Sequence, residues 1–179
     1  ISCYNVFGSI YYKSAAYAKS LESFQEVLRI SSKIKYIEGL LLAYSNMGAV
    51  YYFQENYDKA LECWEMSLSL YPNPESNSAL DNLYNNIGAI YERKELYDKA
   101  MTYFLKSMYL RKISNNEAGL AVSYLNIGTN YLAREKYKTA KAYIDTAYSI
   151  YKSLNDYLGL SALHYSRGEL YWKTQNYNM

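Results

Sequence analysis

An all-α solenoid of stacked antiparallel helix pairs is the fold class this sequence predicts, and three observations predict it. Glycines stand forty residues apart at Gly8, Gly48, Gly88, Gly128 and Gly168. Tyrosines keep the same interval at Tyr17, Tyr57, Tyr97, Tyr137 and Tyr177, and again at Tyr11, Tyr51, Tyr91, Tyr131 and Tyr171. Between these marks apolar residues recur at helical spacing, so each unit reads as two helices stacked on copies of themselves. A fixed period of this size without insertions points away from most enzyme folds and towards binding.

The whole chain, 1–179, reads as one array. Its first copy, about residues 1–37, sets Tyr4, Gly8 and Tyr11 on one helix and Tyr17 and Ser20 on the next. The second, about 38–77, is the most regular. Tyr44, Met47, Gly48 and Tyr51 fall at i, i+3, i+4 and i+7, and Ala60, Leu61, Trp64 and Leu68 repeat that spacing one helix later. Gln54 to Asn56 between them suits only a tight helical hairpin. The third, about 78–117, carries Tyr84, Ile87, Gly88 and Tyr91, then Ala100, Phe104 and Ser107. The fourth, about 118–157, carries Tyr124, Gly128 and Tyr131, then Ala140 and Ile144. A partial fifth copy, 158–179, places His164 and Arg167 in apolar slots. A glycine inside a helix costs about 1 kcal/mol against alanine. Its recurrence therefore predicts a close approach by the second helix, completed by Ala60, Ala100 and Ala140. The connectors are Ser31 to Lys35, Pro72-Asn73-Pro74, Ser114 to Asn116 and Ser153 to Asp156, and the prolines mark the one sharp stop.

Composition narrows function by exclusion. Nineteen basic against 17 acidic residues give a net charge of +2, no footprint for nucleic acid or an anionic membrane. No apolar run approaches the roughly 18 residues that span a bilayer. Cys3 and Cys63 form no CxxC pair and have no histidine at ligand spacing, so both read as reduced helical thiols. The compartment stays open, with the cytoplasm favoured. Most of the 25 tyrosines fall in repeat slots and so serve packing rather than a ligand cage.

These residues resemble the tetratricopeptide repeat family in a forty-residue form. Tyr44, Met47, Gly48, Tyr51, Ala60, Trp64, Ser67 and Pro72 fill the family's pattern in the second copy, as do Tyr84, Ile87, Gly88, Tyr91, Ala100, Phe104 and Ser107 in the third. Departures are Ser20 for alanine, Ile144 for the second aromatic, and His164 and Arg167 in the fifth copy. The resemblance implies a right-handed superhelix whose first helices line a concave groove for a protein or peptide segment. On helical geometry the groove face carries Ser2, Asn5, Ser9, Tyr12 and Lys13 in copy one, and Leu42, Ser45, Ala49, Tyr52 and Phe53 in copy two. Copy three contributes Asn82, Asn85, Ala89, Glu92 and Arg93, and copy four Val122, Leu125, Thr129, Leu132 and Ala133. At its edge Asn46, Asn86 and Asn126 form a row whose amides could hold a peptide backbone, or could bond to a neighbouring helix. The family's clamp for C-terminal carboxylates does not carry over. Asn5, Ser9, Asn82 and Asn86 stand where its polar and basic groups would be, and only Asn46 fits.

Catalytic chemistry finds no constellation. His164, the single histidine, occupies a packing slot, and Asp58-Lys59 and Asp98-Lys99 read as helix starts rather than paired acids. No cofactor or metal is expected. Tyr171-Trp172 and Tyr52-Phe53 each leave one aromatic facing outward. The expectation is groove lining for Tyr52 and, for Trp172, a cover from further repeats or a second copy of the chain. Two functions stand ahead of an enzyme: a peptide-holding interaction scaffold, and the sensory or regulatory region of a bacterial signalling protein such as a histidine kinase, transcription regulator or peptide-pheromone receptor.

Overall fold

A computed structural model describes residues 1–71, 74, 77 and 80–176. Pro72 and Tyr177, which the repeat pattern singles out, lie outside the described residues. Those described form nine helices and no strand. They fall into two compact units, residues 1–74 and 75–179.

Unit 1 holds α1 (Ser2–Lys13), α2 (Tyr17–Lys33), α3 (Ile37–Phe53) and α4 (Tyr57–Ser69). Each helix packs antiparallel on the next, and Phe24, Val27, Met47, Val50, Ala60 and Trp64 are buried between them. Unit 2 holds α5 (Asp81–Arg93), α6 (Tyr97–Ile113), α7 (Glu117–Ala133), α8 (Tyr137–Ser153) and α9 (Tyr157–Asn176). Its core runs through Ile87, Ile90, Phe104, Ile127, Ile144 and Leu163. Within unit 2, α5 touches α7 and α7 touches α9, so the first helices of successive copies line one side.

The turns share a single design. Ala15, Lys35, Glu55, Glu95, Asn115, Glu135 and Asn155 all have φ between 52° and 59°. Around Glu55, its N–H donates to the Tyr52 carbonyl at 3.0 Å and the Asn56 N–H to the Tyr51 carbonyl at 2.9 Å. This is a Schellman cap, and the same pair of bonds recurs at each of the seven turns. Three residues thus reverse the chain, and the residue after the left-handed one immediately starts the next helix. Among those starters Asn56, Asn116 and Asp156 accept a bond from the backbone N–H three residues on, at 3.3, 2.9 and 2.9 Å. The predicted helix-opening aspartates Asp58 and Asp98 sit in the first turns of α4 and α6, two residues after the N-cap. Asp98 pairs with Arg134 at 2.8 Å, and Lys59 and Lys99 lie over the rings of Tyr51 and Tyr91.

Gly8, Gly48, Gly88 and Gly128 do mark close approaches, filled by large side chains of the second helix, with the Ala100 and Ala140 carbonyls also against Gly88 and Gly128; Gly168 marks none among the described residues. A Cβ at Gly88 would stand 2.7 Å from the Phe104 ring and 3.3 Å from the Ala100 carbonyl. Gly8 faces Phe24 in the same way, Gly48 faces Trp64, and Gly128 faces Ile144. With no Cβ in the way, the Trp64 indole lies on α3 and donates to the Ser45 carbonyl at 3.0 Å. The departure at Ser20 is also accounted for, since its buried hydroxyl donates to the Gly8 carbonyl at 2.8 Å. Tyrosine packing repeats forty residues apart too. Tyr103 lies between Tyr84 and Tyr91, and Tyr143 between Tyr124 and Tyr131, at centroid separations of 5.4 to 6.1 Å.

Candidate functional site

The asparagine row takes shape from its helices. Asn46 and Asn126 sit on α3 and α7 one residue before the apolar-Gly pair that is buried under the second helix, which leaves each amide half-exposed at the boundary. Each reaches back to the preceding copy: Asn46 Nδ2 donates to Asn5 Oδ1 at 3.0 Å, and Asn126 Nδ2 to Asn85 Oδ1 at 2.8 Å. Of the two roles open to the row, bonding to a neighbouring helix is therefore realised at both positions. One N–H and the oxygen of each amide are not engaged by that bond. Asn86 is exposed.

Beneath Asn85 lies a polar network that the sequence reading missed. The side chains of Arg111 on α6 and Asp81 on α5 are 3% and 8% exposed, and Arg111 Nε donates to Asp81 Oδ2 at 3.0 Å. Arg111 Nη1 donates to Ser123 Oγ at 2.9 Å, to the Gly119 carbonyl at 3.0 Å and to Asn85 Oδ1 at 3.4 Å, while Nη2 donates to Asn82 Oδ1 at 3.0 Å. Every nitrogen of the buried guanidinium is engaged, which is what makes a buried charge tolerable. The signal was present in the glycines. Gly39, Gly119 and Gly159 also keep the forty-residue register, and a Cβ at these positions would meet Ser31, Arg111 and Tyr151, each eight residues earlier.

The remaining predicted face residues divide. In unit 1, Ser45 bonds Ser67 at 3.0 Å. Phe53 is 57% exposed and meets the half-exposed Tyr12 edge-on at 5.4 Å. Tyr52 is half-buried against Phe53, Tyr57 and Trp64, so Phe53 is the aromatic that faces outward. Lys13 and Arg93 are exposed. In unit 2, Thr129 is half-exposed and donates to the Asn126 carbonyl at 2.9 Å. Leu125 and Leu132 are buried, so these two belong to the core and not to the face. Glu92 is largely buried, and burial pushes its carboxyl up to about 7 against the opposing pull of Asn130 and Arg93. One Glu92 oxygen and the Asn130 side-chain oxygen are buried with no hydrogen-bond partner.

His164 is exposed and meets only the edge of the Tyr148 ring at 6.5 Å, while Arg167 lies over that ring at 4.7 Å. Among the described residues no three His, Cys, Asp or Glu side chains gather as a metal site would require, and no helix is long and apolar enough to cross a membrane. Cys63 is buried and Cys3 exposed, both free. A separate hollow of about 400 Å³ lies between α8 and α9, lined by Lys138, Lys141, Arg167 and Leu170 among others, away from the asparagines.

Comparison places this arrangement among known folds. The chain is similar to the apo form of RapI, with 21% identity, a TM-score of 0.88 and coverage of 99% of this chain and 65% of that one. It is similar to aspartyl phosphate phosphatase F from Bacillus subtilis at 19% identity and a TM-score of 0.81, covering 90% and 42%. A signal transduction ATPase with a tetratricopeptide repeat sensor from Pyrococcus horikoshii aligns at 17% identity and a TM-score of 0.81, covering 89% and 25%. At these identities the likeness is one of fold, and the chain spans less than two thirds of each structure's length. No curated protein sequence matches the chain. The family model for the tetratricopeptide repeat matches residues 39–113 and 79–153, overlapping spans that together take in more than half of the 179 residues. With helix pairs, buried glycines and stacked tyrosines repeating at the same interval, the chain belongs to the tetratricopeptide repeat family.

Proposed function

We propose that this tetratricopeptide array is a protein-interaction module whose units each hold extended peptide along their own first helices, without catalysing a reaction. The observation that carries the reading is the pair of amide cross-links, Asn5 with Asn46 and Asn85 with Asn126, set half-exposed at the same register in both units. An amide that keeps a free N–H and a free oxygen can meet a peptide backbone whatever its side chains. Asn86, Thr129, Arg93 and Lys13 stand along these helices as the variable contacts that would select a partner. The test uses an array of decapeptides probed with the purified chain and with Asn86→Ala/Asn126→Ala. The double variant should bind its peptides at least tenfold more weakly while its melting point moves by a few degrees at most. Unchanged binding sinks the assignment of the row.

A second reading, the sensory region of a signalling protein, is favoured by one observation: the similar structures include a protein whose tetratricopeptide repeats are described as its sensor. A sensor must pass binding on as a change of shape. Small-angle scattering with and without a bound peptide separates the two, a shift in the profile favouring the sensor and an unchanged profile the scaffold. For α9, whose Leu158, Tyr165 and Trp172 are exposed, the cover remains further repeats or a second copy. A molecular mass that rises with concentration would select the latter.

A further inference from the structure

Resting on the reading that the face between α5 and α7 takes up a peptide, we propose that Arg111 is a positioning residue that turns the Asn82 and Asn85 amides so that both present donors to hydrogen-bond acceptors of the segment. A guanidinium carries donors and no acceptor, so the atoms of Asn82 and Asn85 that lie against it must be oxygens. Asn82 Oδ1 lies 3.0 Å from Nη2 and Asn85 Oδ1 lies 3.4 Å from Nη1. Asn85 Oδ1 accepts from Asn126 as well, at 2.8 Å. Asn85 Oδ1 thus has both acceptor sites occupied and Asn82 Oδ1 is turned inward on the arginine, so the group each amide turns towards a ligand is its NH2, on an exposed residue at Asn82 and a half-exposed one at Asn85. Turning either amide over would set donor against donor and lose a charge-assisted bond.

Arg111 is itself held on all sides. Asp81 Oδ2 accepts from its Nε at 3.0 Å, and the Gly119 carbonyl and Ser123 Oγ accept from its Nη1 at 3.0 and 2.9 Å. Asp81 is fixed in turn, accepting from the Asn82 backbone N–H at 2.6 Å and from Asn116 Nδ2 at 3.4 Å. A Cβ at position 119 would come within 2.9 Å of the Arg111 Cδ, so glycine is what leaves the side chain room. Because Asp81 neutralises the arginine below the surface, the face receives fixed N–H directions rather than a positive field. That suits backbone carbonyls of an extended segment. From the neutral Asp81–Arg111 pair a phosphate gains no net charge, and a lysine ammonium would bring donors to the donors of Asn82 and Asn85. Unit 1 supplies the contrast, for Ser31 stands where Arg111 stands and the Asn5–Asn46 pair is oriented only by its own bond.

Side-chain amide NMR on the intact chain tests this. N,N-dimethylacetamide, which accepts but cannot donate, should shift the Asn82 and Asn85 NH2 resonances saturably, and methylammonium, which only donates, should leave them in place. The variant Asp81→Asn/Arg111→Gln removes both buried charges together and so avoids stranding either. In it the preference for the acceptor should fall roughly tenfold, the size expected for one lost charge-assisted bond. If that variant does not melt cooperatively, Arg111→Lys, which keeps the charge but not the fork, takes its place and should release at least one of the two amides. Equal response of the wild type to both probes, or undiminished selectivity in the variants, would overturn the proposal. Decapeptide binding distinguishes it from the reading beneath. If no decapeptide binds but the amides keep their acceptor preference, peptide uptake fails and the positioning role stands. If decapeptides bind wild type and variants equally, the positioning role fails and peptide uptake stands.

Discussion

Gly88 and Gly168 occupy the same repeat position in opposite surroundings. A Cβ at Gly88 would press to 2.7 Å on the Phe104 ring, whereas at Gly168 nothing among the described residues lies within 4 Å. Gly88→Ala should therefore cost about 1–3 kcal/mol by overpacking, and Gly168→Ala should gain up to about 1 kcal/mol from helix propensity; urea denaturation of the two variants reads both signs. Glu92 sets a second residue-level expectation. Its folded pKa of about 7 lies above the ordinary 4.5. The folded chain thus holds a proton where the unfolded chain has released it, so the stabilising contribution is full below about pH 4.5 and is lost as pH rises through 7. Glu92→Gln should flatten the stability profile across that window and raise stability at pH 8 by up to about 3 kcal/mol. Equal pH profiles for wild type and variant would contradict the burial argument. The cysteines give a simpler contrast, since burial raises the Cys63 thiol to about 11 and Cys3 is exposed. One thiol should react with Ellman's reagent promptly at pH 8 and the other only on denaturation. Much at this scale was legible in the sequence, because packing residues recur at fixed intervals. Arg111 was not: it occurs at a position occupied by Ser31 and Tyr151 in other copies, and a partner thirty residues away leaves no local trace.

Helix existence could be read from the apolar spacing, and the connectors Gln54 to Asn56 and Ser114 to Asn116 match the turns, yet the backbone conformation of the turns could not be read. The turns place glutamate, alanine, lysine and asparagine in the left-handed region, where glycine would be the readable sign. Only Asn115 and Asn155 belong to the residue types that enter that region readily. The others persist because the Schellman bonds on both sides fix the backbone whatever the side chain. This leaves strain that a substitution can release. Glu95→Gly should stabilise the chain by up to about 1 kcal/mol, the steric gain exceeding the entropy that glycine costs. Asn115→Gly should gain less, and thermal melts of the pair check the order. If neither variant gains, the caps are not strained. Glycine register explains another part of what was missed. Gly39, Gly119 and Gly159 form a second, weaker series beside the five that define the beat, because Ala79 interrupts it.

At the scale of the whole chain, the forty-residue period specified the architecture because within each unit a copy's buried face is completed by its neighbour. The division into residues 1–74 and 75–179 falls at the Pro72-Asn73-Pro74 stop, but the repeat runs through it without a change of register, so the chain reads as one array. Nor could the sequence settle the asparagine row, where an amide that cross-links helices and one that meets a ligand have the same spacing. The structure shows the cross-links and leaves bonding capacity beyond them. Peptide binding by the intact chain, measured against Asn86→Ala/Asn126→Ala on one decapeptide array, tests the central claim most directly. Loss of at least tenfold in affinity for most captured sequences, with cooperative melting retained, is the expected result. Capture that is equal for both proteins would mean that the row only ties helices together and that any binding surface lies elsewhere on the array.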